Sequence, residues 1–405
     1  SAVRTTRMPV RTTRHKDVTL DLHADVASWN PNAAHTRTLV VGTYELDEAT
    51  QVRHGKLYTY HVSGDVGDVG DVGDAGDVGD VGDVGDDLCL ECKHDAVDLP
   101  GIFDLHCMES PTCPTTVALA LADGSVRLID VSTGMQAATT GPDEVRMWNT
   151  DTYEDCTVAH AAPTPLQAMA LTVDTRSSSS PESPTSSTSI AASYSDGSVK
   201  LFDVAPGGAL VPGRTWAAHT LEAWMATWST APSRAGNVVY TGGDDAVFQA
   251  WDVRERSDSG EPSRLFVDRK THGAGVTSVG ELGSDHAVMT GSYDNILRIW
   301  DWRNSTRPVV QASLDLGGGV WRLKPKPDDP NVLLAATMYD GFKVVRVDRD
   351  GGGVRVEQLA EFPAQKTDKT LAYGASWCRE PGLEGLAATC SFYDNLLSLW
   401  SVEML

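Results

Sequence analysis

Seven times along this 405-residue chain an apolar strand runs into a small polar turn and out into a second apolar strand. The clearest copy is Thr290-Gly-Ser-Tyr-Asp-Asn-Ile-Leu-Arg-Ile-Trp-Asp301. Within it the pattern alternates as a strand does: Leu297, Ile299 and Asp301 point one way, Ile296, Arg298 and Trp300 the other. One such unit cannot bury its own apolar faces. Copies stacked around an axis can, so the repeat constrains the architecture before any other signal.

The copies run Thr38 to Val62, Val117 to Val131, Ile190 to Val204, Val238 to Val253, Ala287 to Trp302, Val332 to Val347 and Leu386 to Val402. In the fourth, fifth and seventh an Asp stands six residues before a Trp: Asp245 and Trp251, Asp294 and Trp300, Asp394 and Trp400. The late copies recur at about 45–55 residues, the spacing of four-stranded blades. The reading is an all-β, seven-bladed WD40-type β-propeller. The seventh copy shows three strand signals before the chain ends, so its fourth strand must come from elsewhere. Val18-Thr-Leu-Asp-Leu-His23 alternates and has no other partner, and pairing it there satisfies two open edges. Residues 1–16 are basic, lack an apolar leader run and are expected to be a flexible tail ahead of a single propeller over 17–405.

Composition narrows the function classes. The net charge of −23 argues against non-specific nucleic-acid binding. Nine of the negative charges sit in the Gly-Asp-Val triplets of Gly64–Asp87, and the remainder of the chain is still acidic. No run approaches the length of a membrane span. Seven Cys at irregular spacing read as reduced thiols in the cytoplasm. The triplet run, at about 63–88, and the Ser-rich stretch 175–189 read as disordered insertions.

Several motifs have an ordinary structural explanation. Cys89-Leu-Glu-Cys92, with His94, His106, Cys107 and Cys113 nearby, lacks a second pair at zinc-binding spacing, so no metal is expected. His219 and His272 each precede a repeat. They fit a buried network with a strand hydroxyl, the turn Asp and the strand Trp: His219, Thr241, Asp245, Trp251 and His272, Thr290, Asp294, Trp300. No Gly-x-Ser-x-Gly elbow occurs.

The entries to the inner strands are less ordinary. They read Val26-Ala-Ser-Trp29, Glu222-Ala-Trp224, Val276-Thr-Ser278, Gly319-Val-Trp-Arg322 and Tyr373-Gly-Ala-Ser-Trp377. Such entries converge at one mouth of a propeller's channel. Aromatic faces with a carboxylate there suit a quaternary ammonium, at about 0.5–2 kcal/mol per contact. Packing within the blades is the alternative use of the same aromatics.

At these residues the chain resembles the WD-repeat diphthine methyl ester hydrolases of diphthamide biosynthesis. The matching strings are Trp216-Ala-Ala-His-Thr-Leu-Glu-Ala-Trp224, Tyr240-Thr-Gly-Gly-Asp-Asp245, Gly318-Gly-Val-Trp-Arg-Leu323, Leu334-Ala-Ala-Thr-Met338, Leu371-Ala-Tyr-Gly-Ala-Ser-Trp377 and Ala388-Thr-Cys-Ser-Phe-Tyr-Asp394. The resemblance implies hydrolysis of the methyl ester of diphthine on translation elongation factor 2, by a cytoplasmic monomer that needs no cofactor. The substrate's trimethylammonium group would occupy the aromatic mouth. Family members often carry His where this chain has Asn295, Asn395 and Tyr339, so those positions are poor candidates for a base. The expected site joins Glu222 or Asp244 as base and Arg322 facing the oxyanion to Trp224, Trp321, Tyr373 and Trp377 as substrate contacts. Glu222 could instead balance the substrate cation. Ser391 and Cys390 are weaker candidates for a nucleophile. The competing reading is a non-catalytic scaffold for a protein complex, the commonest use of such a fold.

Overall fold

A computed structural model describes residues 10–404, apart from 65–87, 110–113, 141–144, 148–167, 179–186, 206–207, 235, 257–260, 284–285, 305, 351–352 and 363–369. Every regular element among the described residues is a strand, and the strands form seven antiparallel sheets. None is a helix long and apolar enough to cross a membrane.

Blades three to six each hold four consecutive strands in meander order. Blade two adds a fifth, Val145–Met147. Blade one is widened: its long strand Val52–Ser63 also pairs with Glu45–Asp47, Cys89–Cys92 and Val97–Pro100. The apolar side chains gather in seven clusters, each shared by two successive blades. One joins Leu39, Val41 and Tyr60 of blade one to Ala388, Leu397 and Leu399 of blade seven, which closes the ring. No blade owns a core; each covers its neighbour, as stacked repeats must.

The N-terminal chain does supply the outer strand of blade seven, but the strand is Val10–Thr19, not Val18–His23. It runs antiparallel to Leu396–Met404, from Val10 opposite Met404 to Thr19 opposite Leu396. An outermost strand packs little of either face, so apolar alternation was a poor guide. Val10 and Val18 reach the cores while Arg14 lays its guanidinium over Trp400, 5.1 Å from the ring centre. Leu20 then turns inward, with its N–H donating to the Asn395 carbonyl at 2.7 Å. The basic segment 10–16 is therefore strand rather than tail, and 1–9 lies outside the described residues. The Gly-Asp-Val insertion also lies outside them, bounded by strand residue Ser63 and by buried Leu88. Both ends of the Ser-rich stretch are strand rather than insertion, since Thr175–Ser178 pairs with Ser187–Ile190, and 179–186 lies outside the described residues.

The His network forms in full in blade four. Trp251 Nε1 donates to Thr241 Oγ1 at 3.1 Å, Thr241 meets His219 Nε2 at 2.9 Å, and His219 Nδ1 reaches Asp245 at 2.9 Å. Blade five departs from it. Trp300 and His272 both meet Thr290, at 2.9 Å each, but Asp294 is taken by a fork from Arg298 at 3.0 and 2.8 Å. His272 Nδ1 is left buried without a hydrogen bond, and the nearest carboxylate, Asp268, is 3.9 Å away. The residue four after the turn Asp decides this. Gln249 in blade four donates to a backbone carbonyl and leaves the Asp to His219, whereas Arg298 claims it.

Candidate functional site at the channel mouth

One backbone irregularity builds the site. In six of the seven inner strands the register with the next strand slips at the second residue, a β-bulge. The residues skipped are Asp25, Phe103, Leu171, Trp224, Thr277 and Tyr373. A bulge re-aims its side chain out of the pleat. All of these except Thr277 line one cavity of about 200 Å³ at the channel mouth. In blade six Trp321 occupies the equivalent place, just before the strand Arg322–Pro325, and both Trp321 and Arg322 line the same cavity. Tyr44, Arg53, Met169, Thr172 and Tyr293 complete the wall.

The aromatic rings form a continuous arc. Trp224 meets Trp321 at 5.6 Å and Tyr293 at 6.1 Å, both edge to face. Trp321 stacks on Tyr373 at 4.8 Å. The arc continues through Phe392 to Tyr44 and Phe103, with steps of 5.3, 4.8 and 4.7 Å. Burial pushes the phenols of Tyr44, Tyr293 and Tyr373 upward, so they stay protonated and can donate.

Charge stands at the base of this arc. Arg322 is buried; Nη2 points at Asp104 Oδ1, 3.4 Å away, and at the Phe103 carbonyl at 3.5 Å. Its Nη1 is buried without a hydrogen-bond partner. Asp104 also accepts the Val173 N–H at 3.1 Å, which fixes its carboxylate across the channel from blade six. Asp25 is buried too. Burial pushes its carboxyl well above the ordinary value; Arg322 pulls it down and Asp104 adds to the rise.

Of the residues expected from sequence, the structure brings together Trp224, Trp321, Arg322 and Tyr373. Trp377 is not with them. It ends its strand, four residues beyond Tyr373 and roughly 13 Å further along. It is buried between blades six and seven, donating to the Lys324 carbonyl at 2.9 Å. Glu222 and Asp244 lie outside the cavity wall. The Glu222 carbonyl accepts the Asp244 N–H at 2.8 Å, and Asp244 Oδ1 accepts from Trp224 Nε1 at 2.9 Å, so this pair braces the indole. Cys390 is fully buried with its thiol pushed up by burial, the opposite of an activated nucleophile. Ser391 donates to Asp394 at 2.7 Å. Asn295 and Asn395 have φ of +69° and +53°, the left-handed region that Asn tolerates. They serve the turn rather than the site.

Sequence reasoning missed Asp25, Tyr44, Phe103 and Tyr293. A signal for Asp25 was present. Aligned on their closing Trp, Ala24-Asp-Val-Ala-Ser-Trp29, Ala223-Trp-Met-Ala-Thr-Trp228 and Ala372-Tyr-Gly-Ala-Ser-Trp377 put Asp25, Trp224 and Tyr373 in one column.

Comparison with known proteins agrees with this architecture. The family described as "WD domain, G-beta repeat" matches residues 263–301. A "Diphthine methyltransferase" of Schizosaccharomyces pombe is 28% identical over 389 residues, covering 94% of this chain and 95% of the relative. A "Diphthine methyltransferase homolog" of Dictyostelium discoideum is 32% identical over 222 residues, 51% of this chain and 58% of the relative. The human "Diphthine methyltransferase" is 34% identical over 165 residues, 40% of this chain but 33% of the relative. Among solved structures, a chain in "Crystal Structure of Mitotic Checkpoint Complex" superimposes with a TM-score of 0.61 at 14% identity. That superposition covers 99% of this chain and 95% of the other, a likeness of fold alone.

Proposed function

Because this chain belongs to the WD-repeat family of diphthamide biosynthesis, we propose that it acts as an enzyme of that route and removes the methyl ester of diphthine on translation elongation factor 2. The products are the free carboxylate and methanol. The observation that carries this reading is the cavity itself. Aromatic faces from Trp224, Trp321 and Tyr373 stand beside a buried guanidinium that has an unused N–H. The rings suit a trimethylammonium group. The guanidinium suits an ester carbonyl gaining negative charge. At about 200 Å³ the cavity is smaller than the ~300–1,000 Å³ of drug-sized clefts, which fits one long modified side chain entering from a protein surface.

The relatives are named for methyl transfer, and the two chemistries differ in where the methyl group ends. The test is incubation of the full chain with elongation factor 2 carrying methylated diphthine, followed by intact mass measurement and methanol assay. Loss of one methyl with matching methanol supports hydrolysis. An unchanged mass beside an active reference enzyme would refute it, and methyl loss without methanol would favour transfer to another acceptor. A scaffold would bind a partner and leave the ester intact.

A further inference from the structure

We propose that Asp25 is the general base of this site and that Arg322 Nη1 receives the oxyanion. The assignment rests on the methyl-ester reading above. Among the described residues lining the cavity, Asp25 is the one carboxylic acid. Its place on the bulge of blade one aims it at the mouth, level with Trp224 and Tyr373 on theirs. It is 3% exposed, as is Arg322. Arg322 has Nη2 directed to Asp104 and the Phe103 carbonyl while Nη1 is unpartnered. A buried N–H is costly to leave unpaired, and an oxygen that becomes anionic during reaction is its natural acceptor. Glu222 and Asp244 are displaced from this role by position, since Asp244 is engaged with the Trp224 indole.

The chemistry balances without a further reactant. The water oxygen bonds to the ester carbonyl carbon as its proton passes to Asp25. The carbonyl electron pair moves onto oxygen, facing Arg322. Collapse restores the C=O bond and breaks the bond to the methoxy oxygen, which takes the proton back from Asp25 and leaves as methanol. Ester and water have become acid and methanol; the acid loses its proton to solvent, and Asp25 is again a carboxylate.

The surroundings favour a base of unusual strength. Facing Asp25 are Arg322 from blade six and Asp104 from blade two. Its charge is felt by Tyr44 of blade one and by Tyr373 and Cys390 of blade seven, and Arg53 stands in the same wall. Burial raises the Asp25 carboxyl, and a base titrating closer to neutrality accepts a proton more readily.

The test uses the full chain acting on the methylated factor. Asp25→Asn keeps the shape and is expected to lower kcat by about 100-fold or more. It should also melt at a higher temperature at neutral pH, because the fold favours the neutral form of this side chain. The natural chain's kcat/KM should rise with pH along a limb above the ordinary carboxylate range, and Asp25→Asn should lack that limb. Arg322→Lys keeps the charge but not the fork and should lower kcat by about 100-fold. Natural-level kcat in Asp25→Asn, or an unchanged pH limb, would overturn the assignment of the base. Natural-level kcat in Arg322→Lys would overturn that of the oxyanion donor. Absence of turnover by the natural chain is a different result, since it would sink the hydrolase reading itself.

Discussion

His272 should make the ring sensitive to mild acid. Its side chain is buried, Nε2 is used by Thr290, and Nδ1 has no hydrogen-bond partner because Arg298 has taken Asp294. Burial lowers its pKa from 6.5 to about 4; the Arg298 charge adds to the drop, and Asp268 and Asp294 oppose it. The folded state thus favours neutral His272. Between the folded and unfolded values the unfolded chain binds more protons, so stability rises with pH across that window. At about 1.4 kcal/mol per pKa unit, the stability lost through this one residue amounts to about 2 kcal/mol between pH 7.5 and 5, and about 3 kcal/mol by pH 4. Urea unfolding at a series of pH values would measure it, with His272→Gln as the partner that cannot titrate. The natural chain should lose about 2 kcal/mol more than His272→Gln on going from pH 7.5 to 5. Parallel losses in the two proteins would refute the reasoning. Asp245 behaves differently. Burial pushes its carboxyl up, but hydrogen bonds led by His219 outweigh this and bring it to about 2, so its contribution is lost only as pH falls from about 4 to 2.

Two further perturbations separate fold from site. Removing residues 1–9 should leave the melting temperature unchanged, whereas removing 1–19 opens the Leu396–Met404 edge and should lower it by several degrees; equal melting curves would contradict closure by Val10–Thr19. Trp377→Ala should cost about 3–5 kcal/mol in denaturant unfolding with little change in KM for the folded protein, while Trp224→Ala should raise KM for the methylated factor at a smaller cost in stability. A large KM effect from Trp377→Ala would contradict its burial between blades.

The blades were legible because turn Asp and strand Trp are locally spaced, and Trp251, Trp300 and Trp400 each donate to a Thr on the adjacent strand, as Thr241, Thr290 and Thr389 show. Trp224, Trp321, Arg322 and Tyr373 were legible for a related reason: they stand at strand entries, and entries converge. Trp377 misled because Tyr373 and Trp377 share one strand but opposite ends, and composition does not report which end meets the mouth. Asp25 was hidden because the inner strand of blade one was read from Val26, two residues after its start at Ala24, which left Asp25 outside the strand. Tyr44 meets Phe392 of blade seven across the ring closure, a contact between distant parts of the chain that no local pattern encodes, whereas Phe103 stands at the second residue of its inner strand, as Trp224 and Tyr373 do.

The most direct measurement of the central claim is turnover of the methylated factor in water enriched in heavy oxygen. Water attack at the ester carbonyl predicts one heavy oxygen in the new protein carboxylate and none in the methanol released. Heavy oxygen in the methanol, or methyl loss with no label in either product, would contradict a water-attacking site built on Asp25 and Arg322.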